Sequence, residues 1–121
     1  MSIADDLSRV RPFTELAPED LQALANCAHT QFFETGAHII EAGKIGDAMY
    51  VIVKGAVEVR SPDERARHLA WLAEGEVFGE MALVTGRKRE AHVFADEPTE
   101  CIVIERKALY QALRANPSAG A

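Results

Sequence analysis

Cysteine is scarce in this chain, aromatic residues are few, and long apolar runs are missing. The two cysteines, Cys27 and Cys101, stand far apart and lack CxxC spacing. They are expected to be reduced packing residues, as in a cytosolic protein. No window approaches about 18 uninterrupted apolar residues, so no spanning helix is expected. The opening MSIADDLSRV is acidic and has no apolar h-region, which speaks against a secretory signal. Basic residues are outnumbered, 13 Lys and Arg against 19 Asp and Glu, for a formal net charge of −6. Such a balance disfavours non-specific binding to nucleic acid and requires any anion site to be a concentrated basic point.

Catalytic and metal signatures are missing as well. The histidines at 29, 38, 68 and 92 show no His-x-His followed by Glu, so a cupin-like metal set is not expected. The serines at 2, 8, 61 and 118 sit on no nucleophile elbow, and neither cysteine has an evident base. Glu74, Glu76, Glu80 and Glu90 fall into no acid–base pattern. No GKS or GKT follows a glycine loop, and no GxGxxG lies between a strand and a helix. The expectation is a protein that is not an enzyme and carries neither metal nor cofactor.

What is present is an ordinary globular composition, 48% hydrophobic and 26% charged over 121 residues. That length is expected to make one domain spanning 1–121. A helical pattern covers about 18–28: Pro18 suits the first helical position, Glu19 and Asp20 the first turn, and Leu21, Leu24, Ala25 and Ala28 recur on one face. From about 31 to about 105, short apolar or alternating runs are punctuated by glycines at 36, 43, 46, 55, 75, 79 and 86. This texture predicts an all-β roll, and SPDERAR reads as the solvated tip of a hairpin. Ala108, Leu109, Ala112 and Leu113 predict a C-terminal helix over about 106–116, ended by Pro117.

The stretch FGEMALVTGRKREAHV, Phe78–Val93, holds the one tight basic cluster, Arg87, Lys88 and Arg89. Glu80 to Thr85 can form little more than one helical turn before Gly86, and the amides at its start would have no intrahelical partner. Gly79 permits close approach, Ala82 lines without blocking, and the planar fork of Arg89 matches phosphate oxygens. Glu80 is an acceptor, suited to a sugar hydroxyl. A buried turn packed through Met81, Leu83 and Val84, followed by a solvated Arg-Glu pair, would satisfy the same spacing.

With the hairpin sequence EAGKIGDAMYVIVKGAVEV, carrying Gly43, Asp47 and Gly55, and the segment FGEMALVTGRKREA, the chain resembles the cyclic-nucleotide-binding domains of the bacterial catabolite activator protein and protein kinase A regulatory subunits. The resemblance runs from PFTELAPEDLQALA through the last helix. It implies a mainly β fold, a double-stranded β-helix or jelly roll with flanking N- and C-terminal helices and a short helix in the phosphate-binding cassette. It implies that a cyclic phosphate rests on the backbone around Glu80, Met81 and Ala82 and pairs with Arg89. Glu80 would accept from the ribose 2′-hydroxyl, Gly79 would line the sugar, and Glu90 would offer its amide. The ligand would be cAMP or cGMP, bound as a ligand and not a cofactor. A cytoplasmic regulatory module is implied, with a separate effector protein or a homodimer as partners.

Two positions depart from the pattern. Glu90 stands where the family has a small or hydroxylated residue; it either points outward or turns in and occupies the phosphate position against Arg89. The second is the ending RKALYQALRANPSAGA, beyond which many family members continue into a lid helix. A degenerate fold that no longer binds nucleotide and serves protein interaction is the alternative reading.

Overall fold

The structure, a computed structural model, describes residues 2–9, 17–44, 46, 48–79 and 89–107. It opens with a short helix that the sequence pattern did not announce, α1 (Ile3–Leu7). Ser2 caps it: its hydroxyl accepts from the Asp5 amide at 3.1 Å while the Asp5 carboxylate takes the Ser2 amide. The bond from the Ser2 amide foremost, and then the Ser2 side chain, hold the Asp5 carboxyl below its usual range. Leu7 is fully buried.

The next helix, α2 (Pro18–Asn26), has Pro18 in its first turn with Glu19 and Asp20 and buries Leu21 and Leu24. It ends earlier than the apolar spacing predicts. Cys27 is its C-cap, and Ala28 belongs to strand β1 (Ala28–Phe33), where it pairs with Ile104. Cross-strand pairing, not helical periodicity, decides that residue.

Seven further strands follow: β2 (His38–Ile40), β3 (Ala48–Lys54), β4 (Ala56–Arg60), β5 (His68–Ala73), β6 (Val77–Phe78), β7 (His92–Ala95) and β8 (Thr99–Glu105). They form two four-stranded antiparallel sheets, ordered β1-β8-β3-β6 and β2-β7-β4-β5. The chain is thus mainly β, a jelly roll with a helical cover. Its C-terminal helix, expected over about 106–116, lies outside the described residues from 108 onward.

Strands β3 and β8 are apolar on both faces because each face meets a different partner. Met49, Val51, Ile102 and Ile104 pack against Leu7, Leu21 and Leu24 of the helices. Ile52 and Cys101 face the roll interior with Ile40, Val57, Phe78 and Val93. Cys27 and Cys101 are free thiols, and burial, with a smaller contribution from Glu100, pushes the Cys101 thiol up to about 12. The β4–β5 connection is tied by Ser61, whose hydroxyl donates to Asp63 at 2.9 Å and accepts from the Arg67 amide at 2.8 Å. The SPDERAR charges are otherwise at the surface, with an exposed Asp63–Arg67 pair at 3.5 Å.

Candidate functional site

Strand β6 delivers the first site residue. Phe78 pairs with Tyr50 of β3, and their rings stack at 4.9 Å inside the roll. That packing fixes where the chain leaves the sheet. Gly79 follows with φ +80°, a conformation that side-chain-bearing residues rarely adopt. A Cβ there would stand 2.9 Å from Arg89 Nη1 and 3.2 Å from the Ala48 carbonyl oxygen. Glycine therefore supplies both the turn and the room.

Arg89, ten residues further along the chain, reaches this turn. Its Nη1 donates to the Gly79 carbonyl at 2.7 Å and its Nη2 to the Ala48 carbonyl at 2.6 Å. Its backbone is held too: the Arg89 amide donates to Lys44 O at 2.7 Å, and the Gly43 amide donates to Arg89 O at 2.9 Å. Gly46, in the same loop, is buried against the guanidinium, and a Cβ on it would overlap Nε, Cζ and Nη2 of Arg89. A half-buried cation is thus fixed in position by main-chain carbonyls and by two residues without side chains. Such a fork, preorganised and partly withdrawn from water, suits the bidentate recognition of a phosphate.

The structure brings together Gly79 and Arg89 from the sequence-derived set. Glu80, Met81 and Ala82 lie outside the described residues, as does Asp47. Glu90 is exposed. Among the described residues the salt bridges are Glu58–Arg60, Asp63–Arg67 and Glu58–His68, and none joins Glu90 to Arg89. Of the two orientations open to Glu90, its exposure fits the outward one. Sequence reasoning missed the partners of Arg89. Gly46 was visible as a glycine, but its contact is tertiary, and Lys44 and Ala48 contribute backbone atoms that no side-chain pattern encodes.

The outer face of the second sheet carries a row of rings and charges. Trp71 is 62% exposed on β5, with its ring 3.8 Å from that of His68 and Glu58 opposite it in register. Glu58 accepts from Arg60 at 2.7 Å and contacts His68 at 2.8 Å, and these bonds, Arg60 foremost, hold its carboxyl below the usual range. Arg60 lies 5.0 Å over the Phe94 ring, on whose other neighbour, His38, Phe94 stacks at 4.3 Å. Among the described residues no group of three or more His, Cys, Asp or Glu is arranged to hold a metal ion. No helix among them is long and apolar enough to cross a membrane.

Comparison with known proteins covers most of the chain. Residues 30–116 match the family described as the cyclic nucleotide-binding domain. Human cGMP-dependent protein kinase 2 is 32% identical over 101 residues, 79% of this chain but 13% of the kinase. The cGMP-dependent protein kinase of Eimeria tenella is 33% identical over 88% of this chain and 10% of its own length. The chain therefore spans a small part of these relatives, and what it shares with them is the regulatory binding domain. Among solved structures, the catabolite activator protein of Thermus thermophilus has a TM-score of 0.77 at 31% identity, over 87% of this chain and 50% of that one. A cyclic nucleotide-binding-like protein from Brucella abortus gives 0.81 at 27%, over 93% and 97%. The regulatory domain of Toxoplasma gondii protein kinase A, crystallised with cAMP, shares the fold with a TM-score of 0.85 at 22%, over 98% and 49%.

Proposed function

The chain belongs to the cyclic-nucleotide-binding domain family, and on that premise we propose that it binds cAMP or cGMP as a non-enzymatic regulatory module, with the cyclic phosphate held at Arg89. The observation that carries this reading is the seating of Arg89, its guanidinium tied to the Gly79 and Ala48 carbonyls and backed by Gly46. In a chain of net charge −6, this fixed cation is the local feature able to hold an anion against the overall field.

The remaining roles in this proposal are those that membership of the family implies for these positions. The backbone of Glu80, Met81 and Ala82 and the amide of Glu90 donate to the phosphate; the Glu80 carboxylate accepts from the ribose 2′-hydroxyl; Gly79 leaves room for the sugar. Glu90 is exposed to solvent, which favours this reading over a degenerate site in which it neutralises Arg89. Occupancy would pass to a separate effector protein in the cytoplasm only in so far as the ligand prefers one conformation of the domain. Calorimetric titration with cAMP and cGMP, on the wild type and on Arg89→Ala, tests the binding half. Saturable heat that disappears in the variant supports it, and no saturation with either nucleotide sinks it.

A further inference from the structure

The loop that meets Arg89 is anchored at its other end by a histidine. His92 Nδ1 lies 3.1 Å from the Ala42 amide nitrogen and 3.0 Å from His38 Nε2. A backbone N–H can only donate, so His92 Nδ1 is the acceptor and carries no proton. Its hydrogen is then on Nε2, and the contact with His38 requires a hydrogen on His38 Nε2. Two donors converge on one lone pair, and both tautomers are fixed.

Ala42 is one residue from Gly43, whose amide donates to Arg89 O, and two from Lys44, whose carbonyl takes the Arg89 amide. Gly46, four residues on, makes room for the guanidinium. The same short loop therefore carries a bond to His92 at one end and the Arg89 contacts at the other. We propose that His92 is a positioning residue of the Arg89 site: its neutral imidazole pins the loop through Ala42, a role that rests on the nucleotide reading of Arg89.

A proton on His92 Nδ1 would set a third N–H against the two donors and break both contacts. A proton on His38 Nδ1 would not, since its Nε2 keeps its hydrogen. The charges around His92 are accounted for element by element. From β2 it faces His38; from β4, Arg60, its register partner, which is tied to Glu58, itself shared with His68 of β5. Glu41 and Lys44 in the loop and Glu90 on the approach to β7 are exposed, where solvent screens them. Loop anchoring is therefore complete with His92 neutral and is lost as acid protonates it.

The test compares wild type, His92→Ala and His92→Asn, whose Oδ1 can still accept from Ala42 but does not titrate. Affinity for cAMP and cGMP is measured at about pH 8 and about pH 5.5, across histidine's range. Wild-type binding is expected to weaken about three- to tenfold at the lower pH, the worth of one lost hydrogen bond. His92→Asn should stay level and close to the wild-type value at high pH, and His92→Ala should be weak at both. Equal pH dependence in wild type and His92→Asn would overturn the proposal. Amide exchange of Gly43 and Arg89 in the ligand-free proteins gives a readout that needs no nucleotide. Protection lost in acid by the wild type but not by His92→Asn, in a protein that binds neither nucleotide, would sink the nucleotide reading and leave the pin standing. Protection that does not differ between them would remove the pin itself.

Discussion

The guanidinium of Arg89 occupies the space that a side chain on Gly46 would need. The two residues are far apart in sequence and belong to different elements, yet each sets the other's constraint. Arg89 cannot reach the Gly79 and Ala48 carbonyls unless residue 46 is bare, and the loop around 46 cannot close on Arg89 unless the lysine and glycine before it pair with the arginine backbone. A cation held this way loses little freedom when it meets a phosphate, which is the sense in which the site is preorganised.

Gly46→Ala is expected to displace the guanidinium while leaving the fold in place. The backbone at 46 is not in the left-handed region, so alanine is not strained there; the nearest clash is with the Arg89 guanidinium. Overpacking of this kind costs about 1–3 kcal/mol of stability. Affinity for the cyclic nucleotide should fall by about tenfold or more, the range for losing a charge-assisted hydrogen bond. Calorimetry and a urea titration on the same sample separate the two effects.

Glu90→Ser should strengthen nucleotide binding slightly and in a salt-dependent way. The carboxylate is exposed, so its repulsion of a nearby anion acts through solvent. A gain of less than about fivefold at low ionic strength, shrinking as salt is raised, is the expected size for a screened charge. A gain of several hundredfold would mean that Glu90 competes directly for Arg89.

Much of this architecture was legible in the chain, and its failures have physical reasons. Pro18, the acids after it and the Leu21–Leu24 spacing marked α2, and the glycine-punctuated runs marked a β roll. Ala28 extended the helical spacing but is claimed by β8 across the sheet. The first helix went unread because five residues carry little periodicity; the Ser2–Asp5 capping box was its available signal. Arg89 and Gly79 could be singled out by residue type. The carbonyls that seat Arg89 could not, because Ala48 and Lys44 act through the main chain. The His92–Ala42 bond was hidden for the same reason, and it joins positions about fifty residues apart.

Glu58 makes a prediction for acid stability. Its carboxyl is held below the ordinary 4.5 by Arg60 first and His68 second. A depressed folded-state value contributes stability above the unfolded value, and that contribution is lost as pH falls through the folded one. The wild type should therefore lose urea resistance more steeply below pH 4.5 than Glu58→Gln does, with the two converging in strong acid. Parallel curves for the two proteins would show that the cluster on the outer sheet face contributes nothing to folding.

The most direct test of the central claim is the calorimetric titration of the purified protein with cAMP and with cGMP, repeated on Arg89→Ala. Binding through the seated guanidinium predicts saturable heat with at least one nucleotide and its loss in the variant, with the variant's unfolding transition still cooperative. Saturable binding that survives Arg89→Ala undiminished would put the ligand elsewhere. Absence of saturation by either nucleotide at millimolar concentration would contradict the claim outright.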